Sequence, residues 1–156
     1  MKKRTFTSPL GPICLTEEDG FLTGVGFCAA KAEAAEDSPL LAEAEHQLDE
    51  YFLGLRQNFD LPLNPKGTAF QQKVWQALLQ IPYGQTASYK EIACKIGNEK
   101  AYRAVGLANH NNPIGIIIPC HRVVGANGNL TGYAGGLEKK QKLLELEQRV
   151  ISNQKV

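Results

Sequence analysis

Polar and apolar residues alternate at the start of the chain. Arg4-Thr5-Phe6-Thr7 places the two kinds on opposite faces, the pattern of a half-buried strand. Pro9-Leu10-Gly11-Pro12 reads as a turn, Ile13–Thr16 as a second strand, Glu17–Gly20 as a turn and Phe21–Phe27 as a third strand. Together they predict an antiparallel meander in which Cys14 and Cys28 are buried. Residues 29–37 are rich in Ala, Glu and Lys and read as a linker or a frayed helix. The period then changes. Leu40, Leu41, Ala44, Leu48, Tyr51 and Phe52 recur at helical spacing, with Ser38 or Asp37 as cap and Gly54 as stop. His46 falls off that stripe and is expected on the surface. Phe59–Leu63 reads as a short strand before a linker at residues 64–67.

The second half is helical in pattern. Thr68 caps a helix over 69–79 whose apolar face is Phe70, Val74, Trp75, Leu78 and Leu79, with Trp75 in the core. Ser88, with Glu91 three residues on, is a capping-box signature for a helix to Lys95. A turn containing Gly97 leads to a second helix over 100–109, the spacing of a helix-turn-helix. Its small residues fit two readings: close approach to a nucleic-acid backbone, or close packing of helices inside the domain. The run Ile114–Ile118 reads as a buried strand ending at Pro119-Cys120-His121-Arg122-Val123. After a glycine-rich turn at 125–129 and a loop around Tyr133, a last helix spans 138–149, with Glu147 among Leu143, Leu144, Leu146 and Val150. The fold class expected is α/β (α+β), with a scaffold domain at 1–65 and a second domain carrying the chemistry at 66–156.

Composition narrows the function classes. A hydrophobic share of 43% is that of a globular chain, not a disordered one. No apolar run approaches the ~20 residues that span a bilayer, and the basic Met1–Arg4 is followed by Thr5–Pro9 instead of an apolar signal segment. A cytoplasmic location and no membrane partner are expected. The four cysteines and three histidines show no CxxC or zinc-finger spacing, so neither a metal site nor a disulfide framework is expected. The net charge of +1 is unevenly spread. Residues 1–65 hold five Lys/Arg and eleven Asp/Glu, a net of −6; residues 66–156 hold twelve and five, a net of +7. The basic half is the one suited to a polyanion.

The chemistry centres on Cys120. A thiol reacts as its thiolate, and a free one titrates near pH 8.5, so a nearby base or cation is needed. Neighbouring side chains on an extended strand point to opposite faces. His121 therefore reaches the sulfur through a bridging water or a bent backbone after Pro119. The alternative is that Cys120 is a small buried hydrophobe. Glu147 is either at the edge of an apolar stripe or a buried partner of His121, since a buried carboxylate needs hydrogen bonds or a charge.

Ile118-Pro119-Cys120-His121-Arg122-Val123-Val124, with Asn112-Pro113 before it and Gly132-Tyr133-Ala134-Gly135-Gly136-Leu137 after it, resembles the O6-alkylguanine-DNA alkyltransferase family. The similarity runs from about Gly67 to Glu147. It implies a ribonuclease H-like N-terminal domain and a C-terminal domain with a winged or helix-turn-helix DNA-binding motif. It implies a monomer that repairs double-stranded DNA from the minor groove, without cofactor, by moving the alkyl group of O6-alkylguanine, and of O4-alkylthymine, to Cys120.

The same resemblance makes His121 the general base through a water and Glu147 the group that orients it. It makes Asn112 a member of the network and Tyr89 the phosphate contact and proton source for the leaving base. Arg103 fills the stack, beside Ala104 on the DNA-binding helix. Tyr133, Val123, Gly135 and Gly136 line the base pocket. Ala134 stands where some relatives have serine, and Asn109 where some are more apolar; both bear on adduct preference. A thioether has no carbonyl for water to attack, so one turnover per molecule is expected. A non-catalytic damage sensor is disfavoured by Cys120, a transcription regulator by the shortage of base-reading side chains at 101–109, and a cysteine hydrolase by the absence of its motifs.

Overall fold

The computed structural model describes residues 1–28, 38–133 and 135–154. The chain divides into two compact units, Met1–Lys66 and Gly67–Val156. The expected linker or helix at 29–37, the alternative cap Asp37 and the position of Ala134 lie outside the described residues.

In the first unit, β1 (Lys2–Ser8), β2 (Gly11–Glu18) and β3 (Phe21–Phe27) form an antiparallel sheet in the order β1-β2-β3. Alternation buries Phe6, Ile13, Leu15 and Val25 on one side. Helix α1 (Pro39–Phe52) brings Leu41, Ala44, Leu48 and Tyr51 to the unit's core. Ser38 caps it, accepting from the Leu41 amide at 3.1 Å and donating to the buried Glu17 carboxylate. Gly54, at φ +78°, takes the left-handed conformation just past the helix end that glycine tolerates best. His46 is exposed beside Glu50. Cys14 and Cys28 are half-buried, not buried as expected, because they lie off the sheet face that packs on the core.

The strand expected at Phe59–Leu63 contracts to one parallel bridge, Leu22 with Leu63. The reason is local. Both backbone groups of Asp60 are held by the Gln47 side-chain amide, at 2.9 and 3.1 Å, and Pro62 has no N–H to give a ladder.

In the second unit, α2 (Ala69–Leu78) starts at a complete capping box between Thr68 and Gln71. Trp75 is 2% exposed and its indole donates to the Ala108 carbonyl at 2.9 Å, which anchors α2 to the helix carrying Ala108. A two-residue strand, β4 (Ala87–Ser88), leads into α3 (Tyr89–Lys95), capped by the Ser88/Glu91 box. Gly97 turns the chain at φ +82°. A single 3-10 turn, Glu99–Ala101, then precedes α4 (Tyr102–His110), so the helix expected from residue 100 begins two residues later.

The run Ile114–Ile118 is not a strand. It forms an isolated bridge at Ile114 and then turns, and Cys120–Arg122 is a 3-10 turn leading to β5 (Val123–Val124). β5 pairs in parallel with β4, Ala87 facing Val123. The last helix, α5 (Leu137–Gln154), extends five residues past the expected end. The small antiparallel sheet followed by a mainly helical unit is the α/β (α+β) class expected. Among the described residues no helix is long and apolar enough to cross a membrane.

Replacing Thr68 by alanine removes one half of the α2 capping box. We expect the full chain to lose ~1 kcal/mol in urea unfolding, and Thr68→Ser to restore most of it.

Candidate active site

The backbone before Cys120 is folded by two tight turns. The Ile117 amide donates to the Gly115 carbonyl at 2.7 Å around Ile116, which sits at φ +69°. This is a γ-turn of the rare, strained hand, and a β-branched residue in that region is costly, ~1–3 kcal/mol. The Cys120 amide donates to the Ile118 carbonyl at 2.7 Å around Pro119, at φ −80° and ψ 63°, an inverse γ-turn. A run of isoleucines reads as a strand by composition, but the Pro119 ring removes a ladder donor and the Asn112 side chain takes the carbonyls. Asn112 Nδ2 donates to Ile118 O at 2.9 Å and Ile114 O at 3.3 Å, while its Oδ1 accepts from the Ile114 amide at 3.0 Å. The Asn112 side chain also favours the Cys120 thiolate. Asn109, buried on α4, donates to the Cys120 carbonyl at 3.3 Å.

The residue after the cysteine is held from behind. His121 is completely buried, and its Nε2 lies 2.6 Å from Glu147 Oε2. Arg122 grips the same carboxylate with Nε at 2.9 Å and Nη2 at 3.1 Å, and its Nη1 donates to the Ile81 carbonyl at 2.7 Å. The Gly84 amide is a further donor to Glu147, at 3.0 Å. Burial pushes the Glu147 carboxyl up, but the hydrogen bonds and charges of His121 and Arg122 outweigh it and hold the group down to about 2. An ionised carboxylate only accepts, so His121 Nε2 carries the proton and Nδ1 keeps the lone pair. Nδ1 is buried and has no hydrogen-bond partner among the described residues. Burial also draws the His121 imidazolium below its ordinary range, against the pull of Glu147, so the ring rests neutral.

Cys120 is 5% exposed. Burial pushes its thiol up; Asn112, then Lys140, then the backbone amides of Cys120 and His121 act the other way. Tyr133 is buried close enough to the sulfur to feel its charge, and burial raises its phenol well above the ordinary value. Val123, fully buried, donates its amide to the Cys120 carbonyl. Gly136, at φ +101°, closes the loop by donating to the Tyr133 carbonyl, with Gly135 half-buried beside it.

Tyr89 lies at the start of α3. Its hydroxyl accepts from Thr131 Oγ1 at 2.9 Å and donates to Thr131 O at 3.3 Å. The Gly106 backbone of α4 passes near its ring. The two readings of the small residues on α4 divide by face. Val105, Ala108 and Asn109 pack inward, whereas Tyr102, Arg103, Ala104 and Leu107 are exposed.

Cys120, His121, Glu147, Asn112, Tyr133 and Val123 thus come together; Arg103 and Ala104 lie on an outer surface. Sequence reasoning assigned no role to Arg122, Gly84, Thr131 or Lys140. Lys140 had a signal, since 140, 143 and 147 share one helical face. Among the described residues no group of three or more His, Cys, Asp or Glu side chains could hold a metal ion.

Two family models match the chain. The 6-O-methylguanine DNA methyltransferase DNA binding domain matches residues 69–149, and the ribonuclease-like domain of the same family matches residues 1–65. A methylated-DNA–protein-cysteine methyltransferase of Methanosarcina barkeri is 52% identical over 147 residues, covering 90% of this chain and 93% of that protein. One from Mycobacterium tuberculosis is 50% identical over 150 residues, covering 93% and 91%. Among solved structures, Mycobacterium tuberculosis OGT in complex with DNA aligns with a TM-score of 0.89 at 49% identity, covering 96% of this chain and 94% of that one.

Two groups make the site acid-labile. His121 and Glu147 both have depressed values in the folded chain, so each contributes stability that is complete above its unfolded value. That contribution is lost as pH falls, first below ~6.5 for the histidine and then from ~4.5 towards 2 for the carboxylate. Urea unfolding at pH 7 and pH 4.5 should show the loss. Glu147→Gln should cost ~3–5 kcal/mol at pH 7, because it leaves Arg122 buried without its counter-charge.

Proposed function

Because the chain belongs to the 6-O-methylguanine DNA methyltransferase family, its function is DNA repair by transfer of an alkyl group to a cysteine, and we propose that the acceptor is Cys120. The observation that carries this choice is the buried chain of contacts behind that residue, in which Glu147 holds the His121 proton on Nε2 and leaves Nδ1 as a base. The other described cysteines, Cys14, Cys28 and Cys94, have no such arrangement.

In this reading a water carries the Cys120 proton to His121 Nδ1. The thiolate attacks the alkyl carbon, the S–C bond forms as the C–O6 bond breaks, and the electron pair returns to the guanine. Tyr89 supplies the proton that the leaving base needs; the imidazolium then gives its proton up to water and Tyr89 takes one back, so overall one proton passes from thiol to guanine. Glu147 stabilises the imidazolium that forms, as the third member of a triad does. Asn112 holds both the turn and the sulfur. Tyr133, Val123, Gly135 and Gly136 line the space for the base. The product thioether offers water no carbonyl, so the protein acts once and irreversibly, on O6-alkylguanine and on O4-alkylthymine, and it needs no cofactor.

The substrate is double-stranded DNA. The reacting atom lies within the stack, so the nucleotide is rotated out at a cost of a few kcal/mol. The exposed face of α4 offers Ala104 and Leu107 with one strong cation, Arg103. That is a poor major-groove reader and a good minor-groove surface, with Arg103 filling the gap left by the base. The protein works as a monomer in the cytoplasm, where a reducing medium keeps the acceptor a thiol.

Incubation with a duplex carrying one O6-methylguanine should add about one methylene (~14 Da) to the intact protein, stoichiometrically and at Cys120. Cys120→Ser should gain nothing. Tight binding without mass gain would leave a damage sensor; gain at another cysteine would remove Cys120 from the role. Arg103→Ala should slow transfer from the duplex roughly tenfold or more, and slow it much less on a single strand, where there is no stack to fill.

A further inference from the structure

The Tyr89 hydroxyl is held twice by one residue. It accepts from Thr131 Oγ1 at 2.9 Å and donates to Thr131 O at 3.3 Å, across 42 positions of sequence. The rest of Tyr89 is fixed by other means. Ser88, just before it, pairs with Val124 in the β4–β5 ladder and caps α3 together with Glu91. A Cβ at Gly106 would meet the Tyr89 ring at 3.7 Å, so α4 borders the ring. Only the hydroxyl end depends on Thr131, which lies in the loop that leads to the buried Tyr133. The Thr131 carbonyl has a second donor, the Lys140 ammonium at 2.6 Å. That carbonyl therefore stays satisfied when Tyr89 gives its proton elsewhere. Thr131 is exposed and Tyr89 half-buried. A hydrogen bond between neutral groups near water contributes little to stability, so this pair does little for folding.

We propose that Thr131 is the positioning residue for Tyr89: its side-chain hydroxyl holds the phenol oxygen where the leaving guanine takes a proton. This rests on the reading of Tyr89 as the proton source. The two hydrogen bonds have different fates. A tyrosine hydroxyl has one proton to give and lone pairs that accept. The proton points at Thr131 O over 3.3 Å, the longer and weaker of the two bonds, towards an acceptor that Lys140 also fills. That bond is surrendered to the base at little cost. The bond from Thr131 Oγ1 uses a lone pair of the phenol oxygen, so it persists while the proton moves. It strengthens as negative charge develops on that oxygen. The O–H bond of Tyr89 breaks as the guanine is protonated, and the phenolate takes a proton back from water. The same threonine joins the proton source to the loop that carries Tyr133, so the two are set at one spacing.

The test is a double-mutant cycle on the full chain. Its readout is the single-turnover rate of methyl transfer from a saturating duplex that carries one O6-methylguanine. Thr131→Val removes the hydroxyl and keeps the branched shape, and should slow transfer on the order of tenfold. Thr131→Ser, which keeps the hydroxyl, should stay within about threefold of the wild type. In a Tyr89→Phe background, already slow, Thr131→Val should cost less than about twofold, because the oxygen it held is gone. Equal slowing in the two backgrounds overturns the proposal, since Thr131 would then act on the loop and not on Tyr89. So does a Thr131→Val that transfers at the wild-type rate, or a Thr131→Ser as slow as Thr131→Val. Urea unfolding should place Thr131→Val close to the wild type; if it does not fold, Thr131→Ala takes its place in the cycle. Tyr89→Phe transferring as fast as the wild type would remove Tyr89 as proton source, and the proposal with it. An additive cycle with a slow Tyr89→Phe leaves that reading standing and removes the proposal alone.

Discussion

The structure of the second unit depends on one carboxylate. Glu147 is fully buried on α5 and receives His121, Arg122 and the Gly84 amide. These groups come from two stretches apart from α5, so a single side chain holds the last helix, the turn at Cys120–Arg122 and the turn after α2 in one arrangement. The energetics make it an all-or-none constraint. A buried carboxylate is tolerable only when its lone pairs are filled, and losing any donor leaves a charge in a low-dielectric interior. Local glycine chemistry serves the same end. Gly84 sits at φ +79°, and a Cβ there would meet Ile151 Cγ1 at 2.6 Å. The amide can point at Glu147 only because no side chain is present.

That carboxylate also determines which proton sits where. With Glu147 ionised, His121 Nε2 is a donor and Nδ1 a base. Burial works on both reacting groups in the same sense, raising the thiol and lowering the imidazolium. The resting pair is therefore neutral thiol and neutral imidazole. In the proposed mechanism the ion pair exists only when the proton moves, and the imidazolium then meets a charge already in place, Glu147. Such a preorganised charge needs little rearrangement as the reaction proceeds.

Much of this was readable along the chain, for identifiable reasons. Capping boxes at Thr68 and Ser88 are short-range hydrogen bonds, so their signature is local and complete. Trp75 and the stripe of α1 follow from periodicity. Ile114–Ile118 misled because β-branched composition reports burial and strand propensity together. What decided its shape was Asn112, whose side chain takes carbonyls up to six residues away, and the ring of Pro119. Lys140 was missed for the opposite reason. Leu144 and Leu146 carry the apolar signal of α5, yet they are half-exposed while the lysine between the turns is buried. The lysine shares a helical face with Leu143 and Glu147, but periodicity does not by itself place a cation in the core; its partner there, the Thr131 carbonyl, is seen only in the fold.

Burial of the nucleophile has a chemical meaning for a protein that reacts once. A reusable enzyme must admit a second reagent and release a product, which keeps its nucleophile accessible. Here Cys120 is 5% exposed, behind a loop closed on Tyr133. Oxidants and adventitious electrophiles attack the thiolate, and a desolvated thiol offers little of it. In the mechanism proposed above, the sulfur becomes reactive when His121 accepts its proton. The strained Ile116 and the inverse γ-turn at Pro119 belong to the same arrangement. They bend the chain so that the histidine next to the cysteine in sequence turns its ring to Glu147.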